Sequence, residues 1–283
     1  MSKSKISKEY YILVSLIIFF SLVIIVGTIR VVKATKESFD EVDLSKIDNI
    51  LEDSNVDVSS VNLRIKNSIE KEYGIDIYYG DGYYVESVNA VPITDANTIF
   101  EMLRQVNIAL SKYPKNMIRE IEQKGYTVSI YLVNYFTNDV EALANRNSIG
   151  EFKIYMSNTI NVERATHHEY YHILDYYIKL ETQERYNSWE SLNPKGFKYP
   201  NDVKYITSKY VYNGLPGAYF VTAYAKFSDK EDRAETFAEM ITANRDEEFF
   251  KDGEKIKDKM NLIKDVLRTN FKTVGATAKT NWE

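Results

Sequence analysis

This 283-residue chain contains only three histidines, and they fall within six consecutive positions: His167, His168 and His172. Two of them close His168-Glu169-Tyr170-Tyr171-His172, an H-E-x-x-H pattern. Histidine is the commonest metal-ligating side chain. Residues four apart on a helix share a face, so a helix here would turn His168 and His172 toward one divalent ion. Glu169, beside them, would then reach a water held by that ion. The chemistry suggested is zinc-dependent hydrolysis, with one Zn²⁺ as cofactor. His167 lies about 100° round the helix from His168 and cannot share its face. It is expected as a hydrogen-bonded or substrate-side histidine.

A catalytic zinc takes three protein ligands and leaves one position open. The chain has no cysteine and no further histidine, so the third ligand must be Asp or Glu. The best segment is Ser228–Glu239 (SDKEDRAETFAE). Ser228 and Glu231 have capping-box spacing, which starts a helix. Glu231, Glu235 and Glu239 then share one face. Such charge runs usually face solvent, but Ala234, Phe237, Ala238, Met240 and Ile241 indicate a packed helix. Glu235, set between Ala234 and Phe237, is the favoured inward carboxylate.

Other elements must position these groups. The composition is that of a globular protein, with 44% apolar and 13% aromatic residues. With no cysteine, disulfides, thiolate ligands and a cysteine nucleophile are excluded. The net charge is −5; residues 1–34 carry five basic residues and Glu9, so the rest of the chain holds −9. A net acidic body without a basic stripe argues against nucleic acid as partner.

Residues 1–9 form a short basic tail, expected on the cytoplasmic side. Tyr10–Ile29 is uncharged over 20 residues, about 30 Å of helix, and is expected to be a transmembrane signal-anchor. The alternative is a signal peptide cleaved near Ala34, although the apolar run is longer than such segments usually are. Residues 30–60 have the polar, acidic composition of a juxtamembrane stalk. Residues 61–283 fit one domain on the outer face of the cell membrane.

Within that domain, helices are predicted at 62–73, 95–113 and about 115–124, closed by Gly74 and Gly125. The run 75–79 is strand-like, and Thr127–Phe136 (TVSIYLVNYF) predicts a buried strand. Glu151–Met156 alternates and predicts an edge or half-buried strand, suited to pair with an extended peptide. The H-E-x-x-H helix follows over roughly 162–179. Gln183–Pro216 predicts an ordered loop, and further helices are expected at about 229–242 and 254–271. Helices, a small sheet, then helices make an α+β domain.

HEYYHILDYY followed by EDRAETFAEM resembles the gluzincin metallopeptidases. The likeness is strongest to the anthrax-lethal-factor and Pro-Pro-endopeptidase group, and to zinc-binding peptidases of bacterial surfaces. It covers roughly 166–177 and 223–240, and it implies a zincin-like fold. It also implies zinc ligands at His168, His172 and Glu235, with Glu169 as general base. Asp175 and Glu239 would be acceptors that orient the imidazoles. The family uses a tyrosine to stabilise the oxyanion, seven residues before the ligand Glu. Tyr224 matches that segment but lies eleven residues before Glu235, so Tyr219 and Tyr212 remain competitors. The implied function is a membrane-anchored zinc endopeptidase acting on protein or peptide substrates. The alternative is a zinc-binding ectodomain without turnover, since Tyr171 is bulky where many relatives have a small residue and could crowd the site.

Overall fold

The first helix, α1 (Val58–Tyr73), begins where the Asp57 side chain accepts the Ser59 amide and ends at Gly74, whose φ is +71°. A side chain at Gly74 would be strained by this left-handed backbone, which L-residues avoid, and Glu122 Oε2 would have to give way to its Cβ. The computed structural model describes residues 41–50, 57–83, 86–138, 140–147, 150–181, 188–212, 217–243, 254–276, 280 and 282. The expected span Tyr10–Ile29 lies outside the described residues. Among those described, no helix is long and apolar enough to cross a membrane.

Short strands β1 (Asp76–Tyr78) and β2 (Ala90–Pro92) precede α2 (Ala96–Ser111), which Asp95 caps through the Thr98 amide. A short α3 (Met117–Gln123) leads into β3 (Thr127–Phe136), the strand predicted from its β-branched and aromatic run. Next come β4 (Ala142–Arg146) and β5 (Glu151–Ser157). The H-E-x-x-H helix is α4 (Val162–Glu181). After a loop of short 3₁₀ turns come α5 (Asp229–Thr242), α6 (Glu254–Asn270) and α7 (Lys272–Ala276). The architecture is α+β, as expected.

The sheet has the order β1-β3-β5-β4, with β2 antiparallel to the far end of β3. β5 is parallel to β3 and antiparallel to β4, so both of its edges are occupied. This corrects the expectation that Glu151–Met156 is an edge strand. Among the described strands the edge on that side is β4, a short ALANR run whose weak alternation hides it in the sequence.

The main hydrophobic core spans helices and sheet, and a smaller cluster gathers Ala90, Val133, Phe136 and Tyr155. α4 contributes Tyr170, Tyr171, Ile173, Leu174 and Ile178 to the main core, all at most 1% exposed. Tyr171 packs on Phe237 of α5 with ring centres 4.7 Å apart. It therefore points away from the imidazoles and does not crowd them. The described part of the expected stalk is also packed: Ile47 is buried, and the Val42 amide donates to Ser68 Oγ at 2.9 Å.

A buried polar knot joins the loop, α5 and α6. Asp232 Oδ2 accepts from Lys259 Nζ at 2.6 Å, Tyr199 hydroxyl at 2.6 Å and Trp189 Nε1 at 3.0 Å. Lys259 also donates to the Tyr219 carbonyl at 2.8 Å and lies 4.1 Å from the Phe220 ring centre. Both charged residues are 0% exposed. Burying this pair is costly, but removing one partner strands the other charge without water. Lys259→Met should therefore lower unfolding free energy by about 3–5 kcal/mol. Lys259→Met with Asp232→Leu should recover part of that loss, and urea denaturation of the three chains decides it. Equal loss in the single and double variants would show that the ion pair is not the clamp.

Candidate metal centre

α4 brings the pentapeptide to the floor of a cleft because its flanking aromatic and aliphatic residues face the core. Its start is fixed from outside the helix. Gln105 Oε1 of α2 accepts the Val162 and Glu163 amides at 2.9 and 3.3 Å, and Asn161 Oδ1 accepts the Arg164 amide at 2.9 Å. α5 starts at Ser228, whose hydroxyl accepts the Glu231 amide. The two helices pack along their lengths.

Three donor atoms converge between them. His168 Nε2 and His172 Nε2 stand 3.2 Å apart. Glu231 Oε2 stands 3.0 Å from the first and 3.4 Å from the second. Zinc ligands at 2.0–2.1 Å in tetrahedral array are about 3.3 Å from one another. The triangle has the size and chemistry of a zinc-binding face: two imidazoles, one carboxylate, and a cleft on the remaining side. Among the described residues these three form the group that could hold a metal ion.

The carboxylate in that triangle is Glu231, not the Glu235 that the family resemblance implies. Glu235 lies one turn further on, behind His168. Its Oε1 is 2.7 Å from His168 Nδ1, the nitrogen facing away from the triangle. Its Oε2 accepts from Arg164 at 2.8 Å and from the Thr222 hydroxyl at 2.7 Å. The reason is geometric: an imidazole has two nitrogens on opposite edges, and successive helical turns of α5 reach one each. The sequence carried a signal for this, because Tyr224 lies seven residues before Glu231, the family's own spacing.

Asp175 differs from expectation as well. It takes no imidazole. Its Oδ2 accepts from buried Arg233 at 3.0 Å and from Lys179 at 2.7 Å, tying α4 to α5. Glu239 Oε2 lies 3.7 Å from Arg164 and so backs the guanidinium that grips Glu235. His167 behaves as read: it is buried, its Nδ1 shares a 2.7 Å hydrogen bond with the Tyr113 hydroxyl, and burial pushes its pKa down to about 3.

Electrostatics suit a cation at the triangle. Burial would lower the His168 pKa, but Glu231 and Glu235 outweigh it and hold the ring up at about 10. Burial likewise raises Glu231 and Glu235, but the histidines, with Arg164 at Glu235, pull both down to about 2. Glu169 is 6% exposed, and burial pushes its carboxyl above the usual range against the pull of His168, His172 and, least, the Ala144 amide.

Tyr224 stands at the rim, its ring centre 6.2 Å from that of His168, and stacks on Phe227 at 5.8 Å. Burial and then Glu231 raise its pKa to about 12, so the hydroxyl keeps its proton. Thr222 ties the Tyr224–Lys226 turn to Glu235, because its Oγ1 also accepts the Ala225 amide at 3.1 Å. Tyr219 and Tyr212 do not line the cleft. The cleft itself holds about 550 Å³, floored by α4 and bounded by β4 and Tyr224.

No family model and no curated protein matches the chain. Among solved structures it is similar to the crystal structure of a "putative zinc-binding metallo-peptidase" from Bacteroides caccae ATCC 43185. The two share 17% identity and a TM-score of 0.48, over 84% of this chain and 94% of that one.

The geometry separates two carboxylates that share one face of the predicted helix. Glu231→Gln should leave purified protein with little bound zinc. Glu235→Gln should still fill at high zinc but bind it about 10–100-fold more weakly, as losses behind a ligand do. Elemental analysis and competitive chelator titration measure both. An empty Glu235→Gln protein beside a zinc-replete Glu231→Gln protein would reverse the assignment.

Proposed function

We propose that the cleft is the active site of a zinc-dependent endopeptidase of the gluzincin kind. Zinc would be held by His168, His172 and Glu231. The observation that carries this reading is the donor triangle, with edges of 3.0, 3.2 and 3.4 Å, open to a cleft that also holds a buried carboxylate. Bound there, zinc supplies Lewis acidity toward a carbonyl and a water of pKa about 7.

The chain's own residues do the rest. Glu169 accepts the proton of the attacking water and returns it to the leaving amine nitrogen. Its burial beside the donor triangle suits that exchange, because a base held out of bulk water is not levelled by hydration. The Tyr224 hydroxyl, kept protonated, donates to the developing oxyanion. Glu235 holds the His168 ring from behind, with Arg164 balancing its charge. An extended substrate would pair with the free edge of β4, whose residues Ala142, Leu143 and Ala144 line the cleft. Glu169 and Ala144 line the same cleft, which sets the base beside that edge.

We further propose that residues 10–29 anchor the enzyme as a single pass, with the catalytic domain outside the cell. N-terminal sequencing of the mature protein separates this from cleavage near Ala34.

Incubating the chain with a peptide library should give cleavage that chelator stops and zinc restores. Glu169→Gln should keep zinc yet lose that cleavage. Tyr224→Phe should lower kcat by about 10²–10³, the effect of removing one oxyanion donor. A Glu169→Gln chain that cleaves as fast as its parent would end the peptidase mechanism. Bound zinc with no cleavage by the parent would make the domain a binding module instead.

A further inference from the structure

A second concavity lies next to the turn that carries Tyr224, and it has the opposite charge to the cleft. It holds about 340 Å³ and is lined by Lys198, Lys209, Lys226, Tyr205, Tyr210 and Phe197 among others. No carboxylate is among the described residues that line it. The candidate metal cleft, by contrast, is lined by Glu141, Glu169, Glu231 and Glu235 against one arginine, Arg164.

Lys226 is the notable member. It is 5% exposed, and its ammonium donates to Thr207 O at 2.8 Å, Thr207 Oγ1 at 3.0 Å and Lys209 O at 3.0 Å. All three acceptors are neutral. A buried charge normally finds an opposite one; this one is approached by a second cation, since Lys209 lies close enough to oppose its charge. As a fastener for the 207–209 loop, Lys226 alone would suffice. Fastening does not call for two further lysines around the same hollow. Gathering like charge without a counter-charge is unfavourable, and an anion entering the hollow relieves it.

The walls say what kind of anion. Tyr205 is 64% exposed beside the cavity, and Lys209 Nζ sits 4.7 Å from the Tyr210 ring centre. Lysines beside exposed aromatic faces fit a carboxylate carried on a polypeptide, whose neighbouring side chains cover the rings. Position points the same way. Lys226 lies two residues from Tyr224 in one 3₁₀ turn, about 4 Å of rise. One short turn of backbone thus borders both the cleft and the hollow.

We propose that this pocket is an exosite that selects polypeptide substrates carrying an Asp or Glu some residues away from the bond that is cut. The proposal rests on the endopeptidase reading of the cleft. The lysines draw an acidic residue of the substrate to the exosite, and the cleft takes the bond that is cut. Together they would set which stretch of substrate lies over Glu169.

The test uses the full-length chain and pairs of peptides that share the cleaved sequence. One member carries a Glu moved position by position outward from the cut, and the other carries Gln there. At one or two positions the Glu peptide should show a KM about tenfold lower, with kcat unchanged, as a charge-assisted contact gives. Lys198→Glu with Lys209→Glu, both on the surface, should bring the two peptides to equal KM. A parallel arm measures binding to the Glu169→Gln chain by fluorescence anisotropy. The acidic preference should appear there too and fade at high salt.

If the preference appears in binding but the parent chain cuts nothing, the exosite stands and the peptidase reading falls. If the chain cuts both peptides alike at every position, or the preference survives the charge reversals, the exosite is overturned. Inorganic phosphate, or vesicles of anionic lipid, binding more tightly than the acidic peptide and lost in the same variants would also overturn it.

Discussion

Glu235 is a buried carboxylate with three partners on two segments other than its own, and the geometry of the cleft depends on it. It meets His168 Nδ1 on α4, Arg164 one turn earlier on the same helix, and Thr222 on the loop before α5. Each contact fixes something different. The first sets the ring so that Nε2 faces His172 and Glu231. The second supplies the positive charge that lets the carboxylate stay ionised out of water. The third draws in the turn that carries Tyr224.

The seam between α4 and α5 repeats that logic along its length. Asp175 and Arg233 pair across it, and Arg233 also binds Asp229 at 2.8 Å. Below these, Tyr171 and Phe237 seal the apolar side. Ion pairs set the register of the helices, while hydrophobic burial supplies most of the association. A slip of one turn would take Glu231 out of the donor triangle and bring Glu235 toward it. The many polar contacts across the seam make that slip costly, because each would leave a buried charge without its partner.

Much of this was legible along the chain. Asp95, Gly74 and Ser228 mark helix ends through local capping, which depends on a few adjacent residues. The β3 strand was evident from its β-branched and aromatic run. The inward turn of Glu235 followed from its apolar neighbours, but an inward acid need not be a ligand. Glu231 was harder to see because its capping-box position already explained it. In the fold its carboxylate faces the imidazoles, and Tyr224 seven residues earlier is the mark that distinguishes it. β4 stayed hidden because a five-residue edge strand of mixed polarity carries no clear period.

By itself, the sequence determined the candidate donor types, the helix that carries two of them, the neighbouring buried carboxylate and the acidic helix that packs beside them. Those depend on spacing within one element, and the 3.6-residue turn makes such spacing readable. Which acid meets Nε2 and which meets Nδ1, which strand forms the free edge, and how three lysines come to share one hollow were decided by tertiary structure. They depend on how separate segments dock, and docking is set by the packing and charge pairing of residues far apart along the chain.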